Sequence, residues 1–259
     1  MNTINPKIII MDLDGTLLDK NKDVSSFSIS ILEKCKKNGI KLAFATARTE
    51  NASKRIMNLI KPDFLILNDG ALIKNEENKI IHKKLLTSEV SDGIINICIK
   101  NNQDITDICA ETEYNFYRTF TEINDQDWNY GTNYDFSKPL SQEVYKISIE
   151  TLNEKLAMDI ENQFNECKLI YNIGENWYRY THKEVGKMNG VEIISKELNI
   201  PISEIIAFGD DYNDIEMVKN CGIGIAMENG LDKIKEVAKY ICKSNNEEGV
   251  CKWIEENIL

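Results

Sequence analysis

The feature that most restricts the fold is a repeated alternation of short apolar runs with amphipathic stretches. Lys7 to Met11 is apolar enough to be a strand covered on both faces. Ser26 to Asn38 places Phe27, Ile31, Leu32 and Cys35 on one helical face, and Gly39 supplies a stop. Ile40 to Ala45 reads as a second strand and Glu50 to Ile60 as a helix ended by Pro62. Phe64 to Leu67 is a third strand before the turn Asn68-Asp69-Gly70. The rhythm returns at Lys187, with a helix to Leu198, a strand from Glu204 to Phe208 and a short helix after Asp214. A strand from Ile223 to Ala226, a helix to Ala238, a strand from Tyr240 to Cys242 and a last helix with Val250, Trp253 and Ile254 complete it. This alternation predicts an α/β fold with a parallel sheet covered by helices on both faces.

The middle of the chain reads differently. Tyr145, Ile147 and Ile149 alternate with Lys146, Ser148 and Glu150, the pattern of a sheet with one wet face. Two amphipathic helices are expected there, one on Val90, Ile94, Ile97 and Cys98, the other on Leu152, Leu156, Ile160 and Phe164. Aromatic residues gather at Tyr114, Phe116, Tyr117, Trp128, Tyr130, Tyr134, Trp177, Tyr178 and Tyr180. The expectation is a second α/β module inserted into the first, entered near Ile80 and left near Thr181.

Composition narrows the class. A chain of 259 residues with 42% hydrophobic and 28% charged residues can bury a substantial core. Its formal net charge of −11 argues against a nucleic-acid partner, for which a basic stripe is the usual footprint. The seven cysteines are odd in number and form no C-x-x-C pair, so they are expected to be reduced, buried small hydrophobes. His82 and His182 stand apart and suggest no zinc site. Ile8 to Met11 is too short for a signal peptide or a membrane span, so a cytoplasmic protein without membrane partners is expected.

Chemistry concentrates where apolar runs end. Asp12-Leu13-Asp14-Gly15-Thr16 follows the first strand, and ligands of open parallel sheets bind at the carboxyl ends of strands. Two carboxylates so close call for a cation or a proton between them; an ordinary Asp-Gly turn is the plainer reading. Gly209-Asp210-Asp211-Tyr212-Asn213-Asp214 follows another buried strand, and its three carboxylates suit a hard divalent cation, magnesium best. Acids at a helix N-terminus would explain Asp211 or Asp214, but less well why a second strand end carries the same chemistry. Thr46, after the second strand, offers a hydroxyl and a backbone N–H to a phosphate oxygen, or simply caps the next helix. Lys187 opens the helix after the insert.

These four segments resemble the motifs of the haloacid dehalogenase superfamily, in the Cof-like branch with a large α/β cap. Asp12 to Thr16 is similar to the DxDGT motif, Ala45-Thr46-Ala47-Arg48 to ATGR, Lys187 to the motif lysine, and Gly209 to Asp214 to GDxxND. Asn68-Asp69-Gly70-Ala71 and Ser244 to Val250 are also similar to the branch. The resemblance implies a Rossmann-like parallel-sheet core, residues 1–80 and 184–259, with an inserted α/β cap, residues 81–183. It implies hydrolysis of small phosphate esters, of the sugar phosphate, nucleotide or pyridoxal phosphate class, with Mg2+ as cofactor. Asp12 is then the expected nucleophile and a metal ligand, Asp14 the general acid–base and a ligand through its carbonyl, and Asp210 the other ligand. Asp214 would orient ligands, Thr46, the Ala47 backbone and Asn213 would hold phosphoryl oxygens, and Lys187 would neutralise their charge. The cap would close over the cleft, with Tyr117, Trp177 and Tyr178 as candidate substrate contacts or, equally, parts of its own core. Ala47 departs from the usual Gly and would be strained if the backbone there needs positive φ. A phosphotransferase or phosphomutase on the same aspartyl phosphate, or a non-catalytic binding module, are the alternatives.

Overall fold

The computed structural model of the chain describes residues 5–119, 130–171 and 176–259. Two compact units are present, one of Met1–Arg48, Ser53–His82 and Gly186–Leu259, the other of Thr49–Ala52 and Lys83–Val185.

The first unit opens with β1 (Ile8–Met11), α1 (Ser26–Lys37), β2 (Lys41–Ala45), α2 (Glu50–Ile60), β3 (Phe64–Leu67), β4 (Leu72–Asn75) and β5 (Ile80–Lys83). The second unit follows as α3 (Ser88–Lys100), β6 (Ile105–Glu111), β7 (Phe116–Arg118), β8 (Thr132–Asn133), β9 (Lys146–Thr151), α4 (Glu154–Glu161), β10 (Cys167–Tyr171) and β11 (Trp177–His182). The chain returns to the first unit as α5 (Lys187–Leu198), β12 (Ile205–Gly209), α6 (Ile215–Asn220), β13 (Ile223–Met227), α7 (Asp232–Val237), β14 (Tyr240–Cys242) and α8 (Gly249–Asn257).

The sheet of the first unit has the order β14-β13-β12-β1-β2-β3-β4-β5. From β14 to β3 every pairing is parallel. β4 reverses against β3 because Asn68, Asp69 and Gly70, all at positive φ, turn the chain within three residues. That link is far too short for a crossover, so the pair must be antiparallel. β4 and β5 were not foreseen in the sequence.

All four residues of β1 are fully buried, as their unbroken apolar run requires. Ile8, Ile10, Ala43, Ala45, Ile66 and Ala207 face Val191 and Ile194 of α5 and Met217 of α6. α5 lies tight on β3: a Cβ at Gly190 would stand 2.6 Å from Ile66 Cγ2. On the other side, Phe208 meets Trp253 of α8 edge-on at 5.7 Å between centroids. Trimming Ile10 to Ala would cost about 2–5 kcal/mol through lost burial and the cavity left behind.

The second unit is a sheet of order β10-β11-β9-β6-β7-β8, antiparallel except at β7-β8. Its apolar face, Ile108, Ala110, Ile147, Ile149, Tyr178 and Tyr180, packs on Val90, Ile94 and Cys98 of α3 and Ala157 and Ile160 of α4. Side-chain alternation puts Cys109, Glu111, Arg118, Lys146, Ser148 and Arg179 on the opposite face. The expected wet face is only partly so: Lys146 is buried, in register with Glu111 on one side and Thr181 on the other. The helix expected from Leu152 to Phe164 is shorter. Asn153 caps it by accepting from Leu156 N–H, which leaves Leu152 outside and exposed.

All seven cysteines are buried and free. Among the described residues, no helix is long and apolar enough to cross a membrane.

Candidate active site

The three strands β12, β1 and β2 lie side by side and parallel, so the residues that leave their carboxyl ends converge. Those residues are Asp210, Asp12 and Thr46. Lys187 reaches the same place as the first residue of α5, held there by the packing of that helix on β3.

Lys187 is the hub. Its Nζ donates to Asp12 Oδ1 at 2.6 Å and to Asp214 Oδ1 at 2.7 Å, and all three side chains are buried. The other oxygen of Asp214 accepts the backbone N–H groups of Asp210 and Asp211 at 3.1 and 3.2 Å. Asp214 therefore ties the Asp210 loop to Lys187. Burial weakens the charged form of Lys187, but Asp12 and Asp214 outweigh it and hold the ammonium well above its usual range. Burial pushes Asp12 well above the ordinary carboxylate range; Lys187 opposes this, while Asp214, Asp210 and Asp14 add to it.

Asp210 is likewise pushed up to about 7, by burial first and by Asp214 next, against the pull of Thr16 and Lys187. Thr16 donates its hydroxyl to Asp210 Oδ1 at 2.6 Å. Gly15 has a φ of +80°, and a Cβ there would lie 2.2 Å from Asp210 Oδ2, so the turn after Asp14 admits only glycine. Carboxylate oxygens of Asp12, Asp210 and Asp214 all lie within 4.8 Å of one another. Three crowded carboxylates, Asp12 and Asp214 buried and Asp210 half-buried, with one ammonium among them lack positive charge. Their all-oxygen donor set fits a hard divalent cation.

Asp14 sits apart from that trio. Arg48 donates Nε to its Oδ2 at 2.6 Å and Nη2 to its Oδ1 at 2.8 Å, and Lys22 Nζ adds a contact at 2.7 Å. Burial would raise the Asp14 carboxyl, but the two cations override it and hold it down at about 2. In this arrangement Asp14 is a carboxylate, the form of a base.

Thr46 is buried, and its N–H, expected to face a ligand, is instead spent on Ile66 O at 2.8 Å in the β2–β3 ladder. Its Oγ1 accepts from Arg48 N–H at 3.1 Å, which leaves the hydroxyl hydrogen to donate. Ala47 is not among the positive-φ residues, so a side chain is carried there without backbone strain. Asn213 Nδ2 donates to Asp69 Oδ1 at 2.8 Å.

In the second unit, Tyr178 belongs to the apolar core, where its ring lies 5.7 Å from Tyr171. Tyr117 packs against the same core and meets Tyr134 edge-on at 5.6 Å. Trp177 is half-buried, and alternation places it on the polar face. Trp128 lies outside the described residues. Thr16, Lys22, Arg48 and Asp69 had no role in the sequence reading. The only hint was their place inside or beside the segments that follow buried strands.

The sequence pattern of the haloacid dehalogenase-like hydrolases matches residues 9–254. The chain is 26% identical to a 5-amino-6-(5-phospho-D-ribitylamino)uracil phosphatase of Bacillus subtilis, over 99% of this chain and 97% of that one. A second phosphatase of that description from the same organism is 25% identical, over 97% of each chain. The crystal structure of a haloacid dehalogenase-like hydrolase from Bacteroides thetaiotaomicron superposes with a TM-score of 0.84 at 22% identity, over 97% of this chain and 99% of that one. That likeness is one of fold. With the motifs in order along the chain and their side chains gathered at one sheet edge, this protein belongs to the haloacid dehalogenase-like hydrolases.

Proposed function

We propose that the chain is a phosphatase of small phosphorylated metabolites, with Asp12 as the nucleophile. The observation that carries this reading is the buried Lys187 ammonium, 2.6 Å from Asp12 Oδ1 and 2.7 Å from Asp214 Oδ1, beside the Asp210 carboxylate. The ammonium holds Asp12 in place, favours its ionised form against burial and the neighbouring acids, and supplies positive charge for an incoming phosphoryl group. Asp12 attacks phosphorus through a carboxylate oxygen, the P–O bond to the leaving group breaks, and an aspartyl phosphate forms. Water then attacks that phosphorus, returning Asp12 and releasing inorganic phosphate. Asp14, charged against Arg48, takes the proton of this water. Giving a proton to the leaving oxygen calls for release of Asp14 from Arg48 and Lys22. The Thr46 hydroxyl, Ala47 N–H and Asn213 amide hold phosphoryl oxygens.

Asp12 and Asp210 are the residues that would hold Mg2+, with the Asp14 carbonyl. Bound there, the ion would offset the carboxylates and polarise the phosphoryl group. Uncatalysed hydrolysis of phosphate monoesters is slow enough that the site must lower its barrier by something like 20 kcal/mol. One acid–base residue supplies only about 10²–10⁴-fold, so charge and positioning must carry the rest.

The substrate class rests on the two Bacillus subtilis relatives, whose substrate joins a phosphorylated sugar alcohol to a flat pyrimidine. The test is phosphate release from a panel of sugar phosphates, nucleotides, pyridoxal phosphate and the ribitylaminouracil phosphate, with Mg2+ or EDTA. Wild type should release phosphate only with the metal, and Asp12→Asn should release none. Undiminished turnover by Asp12→Asn overturns the nucleophile.

A further inference from the structure

The turn Asn68-Asp69-Gly70 is absorbed by neither the reaction nor the core. It is nonetheless wired to three of the segments that reach the site. Asn68 N–H donates to Arg48 O and Asp69 N–H to Thr46 O, both at 3.0 Å. A Cβ at Gly70 would stand 2.3 Å from Gly186 O, the residue before Lys187. Asp69 Oδ1 accepts from Asn213 Nδ2 at 2.8 Å. Asn68 and Asp69 hold φ values of 52° and 58°, a left-handed conformation that Asn and Asp adopt more readily than other side chains. Asp69 is also buried.

We propose that Asp69 is a positioning residue: its carboxylate fixes the orientation of the Asn213 amide so that one N–H of that amide is kept for a phosphoryl oxygen. This rests on the phosphatase reading above. The reason is the inventory of donors and acceptors. An amide has two nearly superimposable ends, and either can face a neighbour that both donates and accepts. A carboxylate only accepts, so it selects the nitrogen end. One N–H is then used on Asp69 and the second stays available on the same nitrogen. With the amide reversed, Asn213 would present a carbonyl oxygen to an anion already crowded by acids. The backbone bonds from the turn to Thr46 and Arg48 keep Asp69 itself in register with the other groups proposed to hold phosphate.

The test is a double-mutant cycle on the full chain with Mg2+ present. Asp69→Gly removes the carboxylate without strain, because glycine accepts the left-handed backbone. Asp69→Asn keeps the shape and restores an acceptor, but admits the reversed amide in part of the population. Asn213→Ala removes the amide. The readouts are kcat and KM for whichever ester is hydrolysed best, and binding of inorganic phosphate by calorimetry. Asp69→Gly and Asn213→Ala should each weaken phosphate binding and kcat/KM by about tenfold, the worth of one hydrogen bond to a charged group. The double variant should be no worse than Asn213→Ala alone, and Asp69→Asn should recover activity to within roughly two- to threefold of wild type. Losses that multiply to about a hundredfold in the double variant would overturn the proposal, since Asp69 would then act independently of Asn213. Wild-type phosphate binding by Asp69→Gly would overturn it too. Failure of the phosphatase reading looks different: wild type itself would release phosphate from no ester, while the calorimetric cycle would still report on the pair.

Discussion

Arg48 grips Asp14 through two nitrogens, Nε on Oδ2 at 2.6 Å and Nη2 on Oδ1 at 2.8 Å, from a side chain that is itself only 2% exposed. The planar fork fixes both the position and the charge of that carboxylate.

Replacing Arg48 by Lys keeps the charge and loses the fork, so Asp14 should wander. Activity should fall by about tenfold to a hundredfold, mainly in kcat, because misplacement by an ångström can cost that much. Lys22→Ala, a contact between two part-exposed side chains, should change stability by no more than about 1 kcal/mol. The pH sign follows from the direction of the shift. Asp14 is held at about 2 in the folded state, against 3.8 ordinarily. It therefore adds stability above about pH 4, and that contribution is lost as pH falls from 4 toward 2. Acid melting curves of wild type and Arg48→Ala should converge over that interval; parallel curves would show that the grip adds nothing.

Lys187→Met should abolish turnover, by at least about 10²–10³-fold, since it removes the ammonium at Asp12 and leaves two buried carboxylates without it. The melting temperature should fall as well. Lys187→Arg should recover the melting temperature in part and little of the activity, because a guanidinium is too large for a place measured for one nitrogen. Phosphate release and thermal melts on the three proteins check this.

Asp210 binds its proton more tightly when folded, at about 7, than when unfolded, near 3.8. A raised acid stabilises the fold at low pH, and that stability is lost as pH rises from about 4 through 7. The metal-free protein should therefore lose melting temperature over that range. Mg2+ needs the ionised carboxylates, so its stabilising effect should be larger at pH 8 than at pH 6. Asp210→Asn should flatten both responses. Equal shifts with Mg2+ at the two pH values would contradict the assignment of Asp210 as a ligand.

Ala47→Gly restores the residue usual in the motif. Because Ala47 carries no positive φ, the change should leave kcat within about twofold. Stability should fall by about 0.4–1 kcal/mol, through the greater freedom glycine gives the unfolded chain. Urea titration measures the second and steady-state kinetics the first.

The aromatic residues show where the sequence stops being informative. Tyr117, Trp177 and Tyr178 looked alike as substrate contacts, yet Tyr178 sits in the core of the second unit and Trp177 on the other face. Adjacent residues of a strand point to opposite sides, so the division depends on which face meets α3 and α4. The polar face shows the same gap, since alternation at Lys146, Ser148 and Glu150 marks a side without telling how far it is covered. Lys146 is buried there.

Local pattern was enough for the rest of the frame. The run from Ile8 to Met11, the periodicity of α1 and α5, and carboxylates placed directly after buried strands together determined a parallel α/β core with its acids at one edge. Periodicity is a property of neighbouring residues, so it survives in a bare sequence. Pairing is not such a property. Lys187 and Asp12 are 175 positions apart, and Thr16 and Asp210 are 194 apart. Only the packing of α5 on β3, and of β1 between β2 and β12, brings them within hydrogen-bond reach. That packing decided that Asp214 holds a lysine and a loop, that Asp14 faces Arg48, and that Asp69 answers Asn213.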